Sequence, residues 1–460
     1  MNRVATEVPT AQQVVSNLPW KWNVQGAIFI VGGLGFMFDA WDVALNGFLI
    51  PLLAKEWGLS IGQAAWIATA NLIGMALGAF IWGGIADRMG RKKAFTLTLL
   101  IFSAFTVLGA FAPNYALFLV FRFCAGFGLG GCIPVDYALV GEFTPTKHRG
   151  RVLTAMDGWW PVGATLCAVV SAWLVSFASW HTIMLVMVLP ALLIVAVRFF
   201  IPESPMYLLS QGRHQEADAV IRKLVKRTGA NVTEWSHDGV EEAPKAAPLM
   251  QRLRAMTGQV NLLWQYSWKI TLTSWTLFVS VLLLYYAALT WLPGILKKQG
   301  LTDQAAFITT GGMTAIGIAG VVASALLIEV IGRKWVLGSS AVLAAGSLVW
   351  FALELENSGT QLSRPAVIAI LLFGFLIQVS VPALYTYVTE LYPTRLRSSG
   401  FGWASSASRL AIGIAPIVFG SLLWPNIGLV NTFALTGALV VLAVIVMVFF
   451  GRETAGEELD

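Results

Sequence analysis

The chain has 460 residues, of which 57% are hydrophobic and only 12% charged, with a formal net charge of +6, and its mean hydropathy is +0.73. That composition excludes an ordinary soluble domain and assigns the chain to a lipid bilayer. The positive balance follows membrane topology and carries no nucleic-acid footprint, because the cations cluster at one set of loops.

The first residues, MNRVATEVPTAQQVV, lack an apolar core and a cleavage pattern, so no signal peptide is expected. Apolar runs long enough to cross roughly 30 Å of hydrocarbon then fall at 24–51, 62–86, 93–112, 115–140, 152–177 and 181–201. A polar stretch, 203–266, interrupts them. Within it Gly212–Arg227 spaces Ala217, Val220, Ile221, Leu224 and Val225 as one helical face, which predicts an amphipathic surface helix. The following Asn231–Pro248 is polar and Pro-punctuated and reads as a linker. Six further apolar runs lie at 267–293, 305–329, 335–356, 365–389, 398–424 and 427–450.

Backbone groups in lipid must pair within their own segment, and the alternating pattern of a membrane barrel is missing, so these runs are helices. The expected fold is an all-α membrane protein of twelve helices. Residues 1–202 form one six-helix bundle, 203–266 a cytoplasmic central loop, and 267–460 a second six-helix bundle with a short tail. Arg3, Lys21, Arg88–Lys93, Lys147, Arg149, Arg151, Arg333, Lys334, Arg395, Arg397, Arg452 and the central loop carry most of the cations. The opposite loops hold Lys55, Lys297, Lys298 and Arg364. Both termini are therefore expected on the cytoplasmic side.

The halves repeat. Pro134–Gly150 (PVDYALVGEFTPTKHRG) and Pro382–Ser398 (PALYTYVTELYPTRLRS) share Pro, a Tyr three residues on, then Glu, two residues, Pro-Thr, two residues and Arg. Asp87–Lys92 (DRMGRK) is echoed by Glu329–Lys334 (EVIGRK). Duplicated halves of an apolar chain indicate a transporter with its site between them. No phosphate-binding Gly loop appears, which excludes direct nucleotide driving and leaves an ion gradient as energy source. Cys124, Cys132 and Cys167 lie in predicted spans without metal-ligand spacing and read as packing residues.

Five ionisable residues fall well inside predicted spans: Asp39, Asp42, Arg122, Asp157 and Arg409. Each costs about 2.5–3.5 kcal/mol near the bilayer centre unless partnered or hydrated, so all five are functional candidates. Asp39 and Asp42 share one helix face, a turn apart, and can hold and release protons. Arg122 lies at a matching depth to pair with Asp42, as a switch or as a static ion pair. Arg409 has no acid at mid-depth in its own half, so an anion, and a carboxylate best of all, completes its charge. Trp41, Trp159, Trp160, Tyr285, Tyr286, Tyr385 and Tyr387 could hold a ring beside it, and Gln378 adds a donor and an acceptor. Tyr286 and Gln378 are preferred because their polar tips need partners at depth.

Gly83, Asp87, Arg88, Gly90, Arg91 and Lys92 form the loop that marks the major facilitator superfamily, and the chain resembles that family throughout. The resemblance implies gating contacts for Asp87, Arg88, Arg91, Glu142 and Arg149 in the first half and for Glu329, Arg333, Glu390 and Arg397 in the second. Ala325 and Val330 replace the Gly and first Arg of the second loop, which implies a weaker latch there. Arg149-Gly150-Arg151, Pro202-Glu203-Ser204-Pro205 and Glu453-Thr454-Ala455-Gly456 resemble the branch of sugar porters, organic ion transporters and synaptic vesicle protein 2. Asp42 and Arg122 match the proton-coupling pair of bacterial sugar symporters, whereas their sugar-binding Gln-Gln pattern is missing. Asp39-Ala40-Trp41-Asp42 is similar to the Asp-Gly-x-Asp motif of aromatic acid/proton symporters, and Arg409 to the anion-selecting Arg of organic anion transporters.

Together these features imply a proton-coupled importer of a small aromatic carboxylate, nicotinate foremost, in a bacterial inner membrane. It is expected to act as a monomer, with no enzymatic activity, no metal, no cofactor and no nucleic-acid partner. The alternatives are a facilitative carrier of organic cations or polyols, and a non-transporting ligand receptor of the same fold.

Overall fold

The structure, a computed structural model, describes residues 8–237, 249–358 and 362–455. Its helices in chain order are α1 (Ala11–Ser16), α2 (Ala27–Trp57), α3 (Ile61–Met89), α4 (Arg91–Gly109), α5 (Tyr115–Phe143), α6 (Thr146–Asp157), α7 (Trp159–Leu174), α8 (Trp180–Leu185) and α9 (Leu189–Phe200). After them come α10 (Pro205–Ser210), α11 (His214–Thr228), α12 (Leu249–Tyr266), α13 (Trp268–Lys298), α14 (Asp303–Val330), α15 (Arg333–Asn357), α16 (Arg364–Leu391), α17 (Thr394–Ile417) and α18 (Trp424–Phe450). No strand occurs among the described residues.

The apolar runs become α2, α3, α4, α5, the α6–α7 pair, the α8–α9 pair, α13, α14, α15, α16, α17 and α18. Two spans are interrupted: Gly158 separates α6 from α7, and a tighter turn at Val186–Val188 separates α8 from α9. Between α17 and α18 a wider π turn, Val418–Leu423, follows Pro416, and Gly428 leaves helical geometry with φ 80°.

The two ends of the bundle are built differently. Spans that start at the end opposite the basic loops open on a side-chain cap: Ser60 before α3, Asn114 before α5, Thr302 before α14 and Ser363 before α16 each accept a backbone N–H. At the basic end α4 and α15 start after Gly90 and Gly332, whose φ of 98° and 101° suits only glycine. A carboxylate covers each of these starts. Glu203 accepts the Lys92 N–H at 3.1 Å, and Glu453 accepts that of Arg333 at 2.9 Å.

Each half has a seam of glycines against a neighbouring backbone. A Cβ on Gly126 or Gly130 of α5 would lie 1.9 or 2.0 Å from carbonyl oxygens of α3, and one on Gly374 of α16 would lie 2.1 Å from Met313 O in α14. Only glycine admits such approach, which is how helices associate without a hydrophobic driving force.

The central stretch holds more structure than the single expected surface helix. α11 buries Ala217, Ile221, Leu224 and Val225 as predicted. α10 and α12 flank it, and Ser236 exchanges backbone bonds with Pro9 and Ala11 at 3.0 and 2.8 Å. Residues 238–248 of the expected linker lie outside the described residues.

Candidate functional site

Helix α2 meets α3, α4 and α5 at a fully buried polar cluster. Arg122 Nη1 donates to Asp42 Oδ1 at 2.9 Å and Nη2 to Oδ2 at 3.1 Å, the bidentate geometry of a guanidinium on a carboxylate. Arg122 Nη2 also reaches Asn46 Oδ1 at 2.8 Å, Asn71 donates to Asp42 at 3.1 Å, and the Thr106 hydroxyl donates to it at 3.2 Å. Every oxygen of Asp42 is thus spoken for, and the pair is sealed from solvent.

One turn earlier Asp39 is equally buried, and among the described residues only the Cys132 thiol approaches its oxygens as a donor. Its neighbours are Cys132 and Asp136 of α5 and, across the gap between the halves, Arg409. Asp136 is also fully buried, and neither of its oxygens has a hydrogen-bond partner among the described residues. Sequence reasoning passed over it although it lies inside a predicted span. The available signal was the repeat, since the second copy carries Leu384 where the first carries Asp136. Cys132 is therefore more than filler, because it stands against two carboxylates.

Between the halves lies a cavity of about 340 Å³. Phe36, Ala79, Tyr137, Asp157 and Trp160 line it from the first half, and Tyr285, Tyr286, Gln378, Tyr385, Phe401 and Arg409, with six smaller residues near them, from the second. Trp160 lies 5.3 Å from Phe36 and 5.9 Å from Tyr286, and donates its indole N–H to Tyr285 at 3.1 Å, so one ring joins both walls. Arg409 makes no ion pair or hydrogen bond among the described residues. Gln378 is buried beside Tyr285, with no hydrogen bond at its Nε2 among the described residues. The cavity thus offers unspent donors from one half inside an aromatic box, an environment that a planar anion completes.

Trp41 and Trp159 stand outside this cavity. Trp159 sits on Gly33, where a Cβ would come 2.2 Å from the indole nitrogen, and Trp41 is buried 6.2 Å from Phe38. One residue along a helix turns the side chain by about 100°, so Trp160 lines the cavity and Trp159 packs behind it. Tyr387 is also elsewhere, donating to Arg452 O at 2.8 Å.

At the basic end Arg91 bonds Glu142 at 3.2 Å, and Arg333 is held by Glu329 at 2.9 Å and Glu390 at 3.1 Å. Arg149 donates to Thr144 O at 3.3 Å, Arg397 to Thr389 O at 3.0 Å, and Arg88 O accepts the Tyr207 hydroxyl at 2.7 Å. The side chain of Asp87 lies outside the described residues. These ion pairs each stay within one half. At the opposite end the halves touch, where Gly47 rests on the carbonyls of Leu289 and Thr290, Phe48 lies 4.7 Å from Phe307, and a Cβ on Gly62 would lie 2.6 Å from Ser421 Oγ. Among the described residues no three His, Cys, Asp or Glu side chains gather as metal ligands.

Duplicated helical halves, a polar cavity between them and one sealed mouth define a membrane transporter of small molecules. Residues 27–460 match the sugar (and other) transporter family, and the chain belongs to it. It is a multi-pass membrane transporter and not an enzyme. A niacin transporter of Acinetobacter baylyi is 33% identical over 97% of this chain and 98% of its own length. A putative niacin/nicotinamide transporter of Bacillus subtilis is 32% identical over 94% and 96%. The 4-hydroxybenzoate transporter of Acinetobacter baylyi is 29% identical over 87% and 85%. The fold superposes on the E. coli xylose transporter in a partially occluded inward open conformation, with a TM-score of 0.73 at 19% identity, covering 95% of this chain and 99% of that one.

Proposed function

We propose that the protein imports a small aromatic carboxylate, nicotinate foremost, together with protons across a bacterial inner membrane. The observation that carries this reading is Arg409, a cation with no ion pair or hydrogen bond among the described residues, facing an aromatic cavity between the halves. Arg409 takes the carboxylate as a fork, Gln378 Nε2 donates beside it, and Tyr285, Tyr286 and Trp160 flank the ring. The relatives that carry niacin and 4-hydroxybenzoate support the substrate class. Asp39 and Asp42 with Arg122 handle the proton, so that the proton gradient drives accumulation without a cofactor.

The basic end faces the cytoplasm with both termini, and the mouth closed by Gly47 and Phe48 against Leu289, Thr290 and Phe307 is then the outer one. Substrate and proton together favour reorientation of the two bundles about the cavity. One proton with one monoanion is electroneutral, so accumulation depends on the pH gradient unless a second proton recruits the membrane potential. The test is binding to the purified protein, read as thermal stabilisation by a panel of aromatic acids. Arg409→Gln removes a charge-assisted pair and lowers nicotinate affinity about tenfold or more. Unchanged affinity in that variant refutes the reading.

A further inference from the structure

The cavity is faced by a guanidinium from one half, Arg409, and a carboxyl group from the other, Asp157. Asp157 closes α6, and the helix break at Gly158 follows it directly, so this carboxylate sits where the fifth span is discontinuous. Its Oδ1 accepts the Tyr137 hydroxyl, while Oδ2 makes no hydrogen bond among the described residues. Tyr137 is itself braced edge-on by Phe36, 5.6 Å away. In the aromatic wall Trp160 donates its N–H to Tyr285 O, whereas the Tyr286 and Tyr385 hydroxyls make no hydrogen bond among the described residues. Of the charged and amide groups, the cavity leaves unspent an acceptor at Asp157 and donors at Arg409 and Gln378.

A carboxylate bound at Arg409 brings negative charge into the space that Asp157 shares. An acid with a bare ring therefore leaves the free oxygen of Asp157 desolvated and unpaired, and a site with such a group rejects ligands that cannot satisfy it. A ring that carries an N–H or O–H on the edge away from its own carboxylate satisfies both ends. We propose that Asp157 is a specificity-determining residue that selects aromatic carboxylates bearing a hydrogen-bond donor on that edge. The donor is either a phenolic hydroxyl or a protonated ring nitrogen. Tyr137 positions Asp157 by holding its other oxygen. The inference rests on the reading that Arg409 holds the substrate carboxylate.

The experiment compares binding of benzoate, 3-hydroxybenzoate, 3-methoxybenzoate, nicotinate and N-methylpyridinium-3-carboxylate to the purified full chain. In the wild type, 3-hydroxybenzoate or nicotinate binds about tenfold or more tighter than benzoate, and the matching methylated compound loses that advantage. Which of the two leads identifies the donor as hydroxyl or ring nitrogen. In Asp157→Asn the advantage falls to about threefold or less, because benzoate no longer strands a carboxylate and binds more tightly, and in Tyr137→Phe, which removes the brace on Asp157, the advantage narrows. A folded Asp157→Asn protein that keeps the full preference overturns the proposal. So does a wild type that binds all five compounds alike, a result that needs no variant to fold. Failure of the underlying reading looks different: benzoate affinity is then indifferent to Arg409→Gln, whatever Asp157 does.

Discussion

Asp42→Asn separates a structural ion pair from a proton-handling one. Among the described residues Asp42 is the only counter-ion of the fully buried Arg122. Neutralising it leaves the guanidinium with Asn46 Oδ1 and the carbonyl of residue 42, both uncharged acceptors. Breaking a buried pair by removing one partner costs about 3–5 kcal/mol. For a six-helix half of roughly 200 residues each kcal/mol moves Tm by about 2–4 °C, so the detergent-solubilised variant should unfold about 10 °C lower. Adding Arg122→Gln removes the stranded charge and should recover most of that loss, a non-additivity that reports direct coupling. In transport the same single change should abolish uphill uptake and leave counterflow, because exchange requires no net proton movement. Normal pH-dependent accumulation by Asp42→Asn would refute the proton assignment, and an unchanged Tm would refute the ion-pair arithmetic.

The closed mouth gives a conformational prediction. A Cβ on Gly47 would lie 2.6 Å from Leu289 O, across the interface between the halves. Overpacking costs about 1–3 kcal/mol, which Gly47→Ala escapes by favouring the state open at that mouth; a cysteine placed at Thr290 should then react about tenfold faster with an impermeant maleimide, and equal rates would count against it. Gly126→Ala meets Asn71 O at 1.9 Å inside one half, where no reorientation relieves it, so it should lower Tm where Gly346→Ala, with open space around it, does not. Outside the membrane, burial alone would raise the Asp218 carboxyl, but hydrogen bonds from His237 and Trp235 at 2.9 and 2.7 Å outweigh it and hold the group below its ordinary value of 3.8. A depressed carboxylate stabilises above its unfolded value and loses that contribution as pH falls through the folded one. Protection of residues 231–237 from hydrogen exchange, corrected for intrinsic rates, should therefore hold at neutral pH and fall below about pH 4, with Asp218→Asn already at the lower level.

Hydropathy made the spans legible because a membrane crossing is a one-dimensional constraint, so α2, α3, α5 and α13–α16 could be bounded to within a few residues. The breaks in the fifth and sixth spans were not legible. A mean over an apolar window does not register one Gly158, and the Val186–Val188 turn is as apolar as the helices beside it. α12 was hidden for the opposite reason, since its Leu253, Val260 and Leu263 are diluted by polar residues at the end of the polar central stretch. In the cavity Arg409, Tyr285, Tyr286 and Gln378 stood out as polar or charged groups at depth. Aromatic residues without that cost gave no such signal, and Trp41 could not be separated from Trp160.

The repeat locates the chemistry when it is read for its departures. Adding 248, the offset that carries Pro134 to Pro382, takes Tyr137 to Tyr385, and both tyrosines line the cavity. The same offset takes Arg122 to Ile370, Asp136 to Leu384, Asp157 to Ser405 and Pro161 to Arg409. Shared positions thus build the scaffold, with matched glycine seams and matched carboxylate caps at Glu203 and Glu453, and this equivalence lets the two bundles exchange roles at either mouth. The charged positions break the symmetry in one direction, placing three buried acids and their single arginine in the first half and an unpaired arginine in the second. A cavity bounded by two identical halves would attract neither charge preferentially. The departures give this one a polarity, acids on one wall and an arginine on the other, and on the function proposed above an aromatic acid spanning the gap is held by both halves at once.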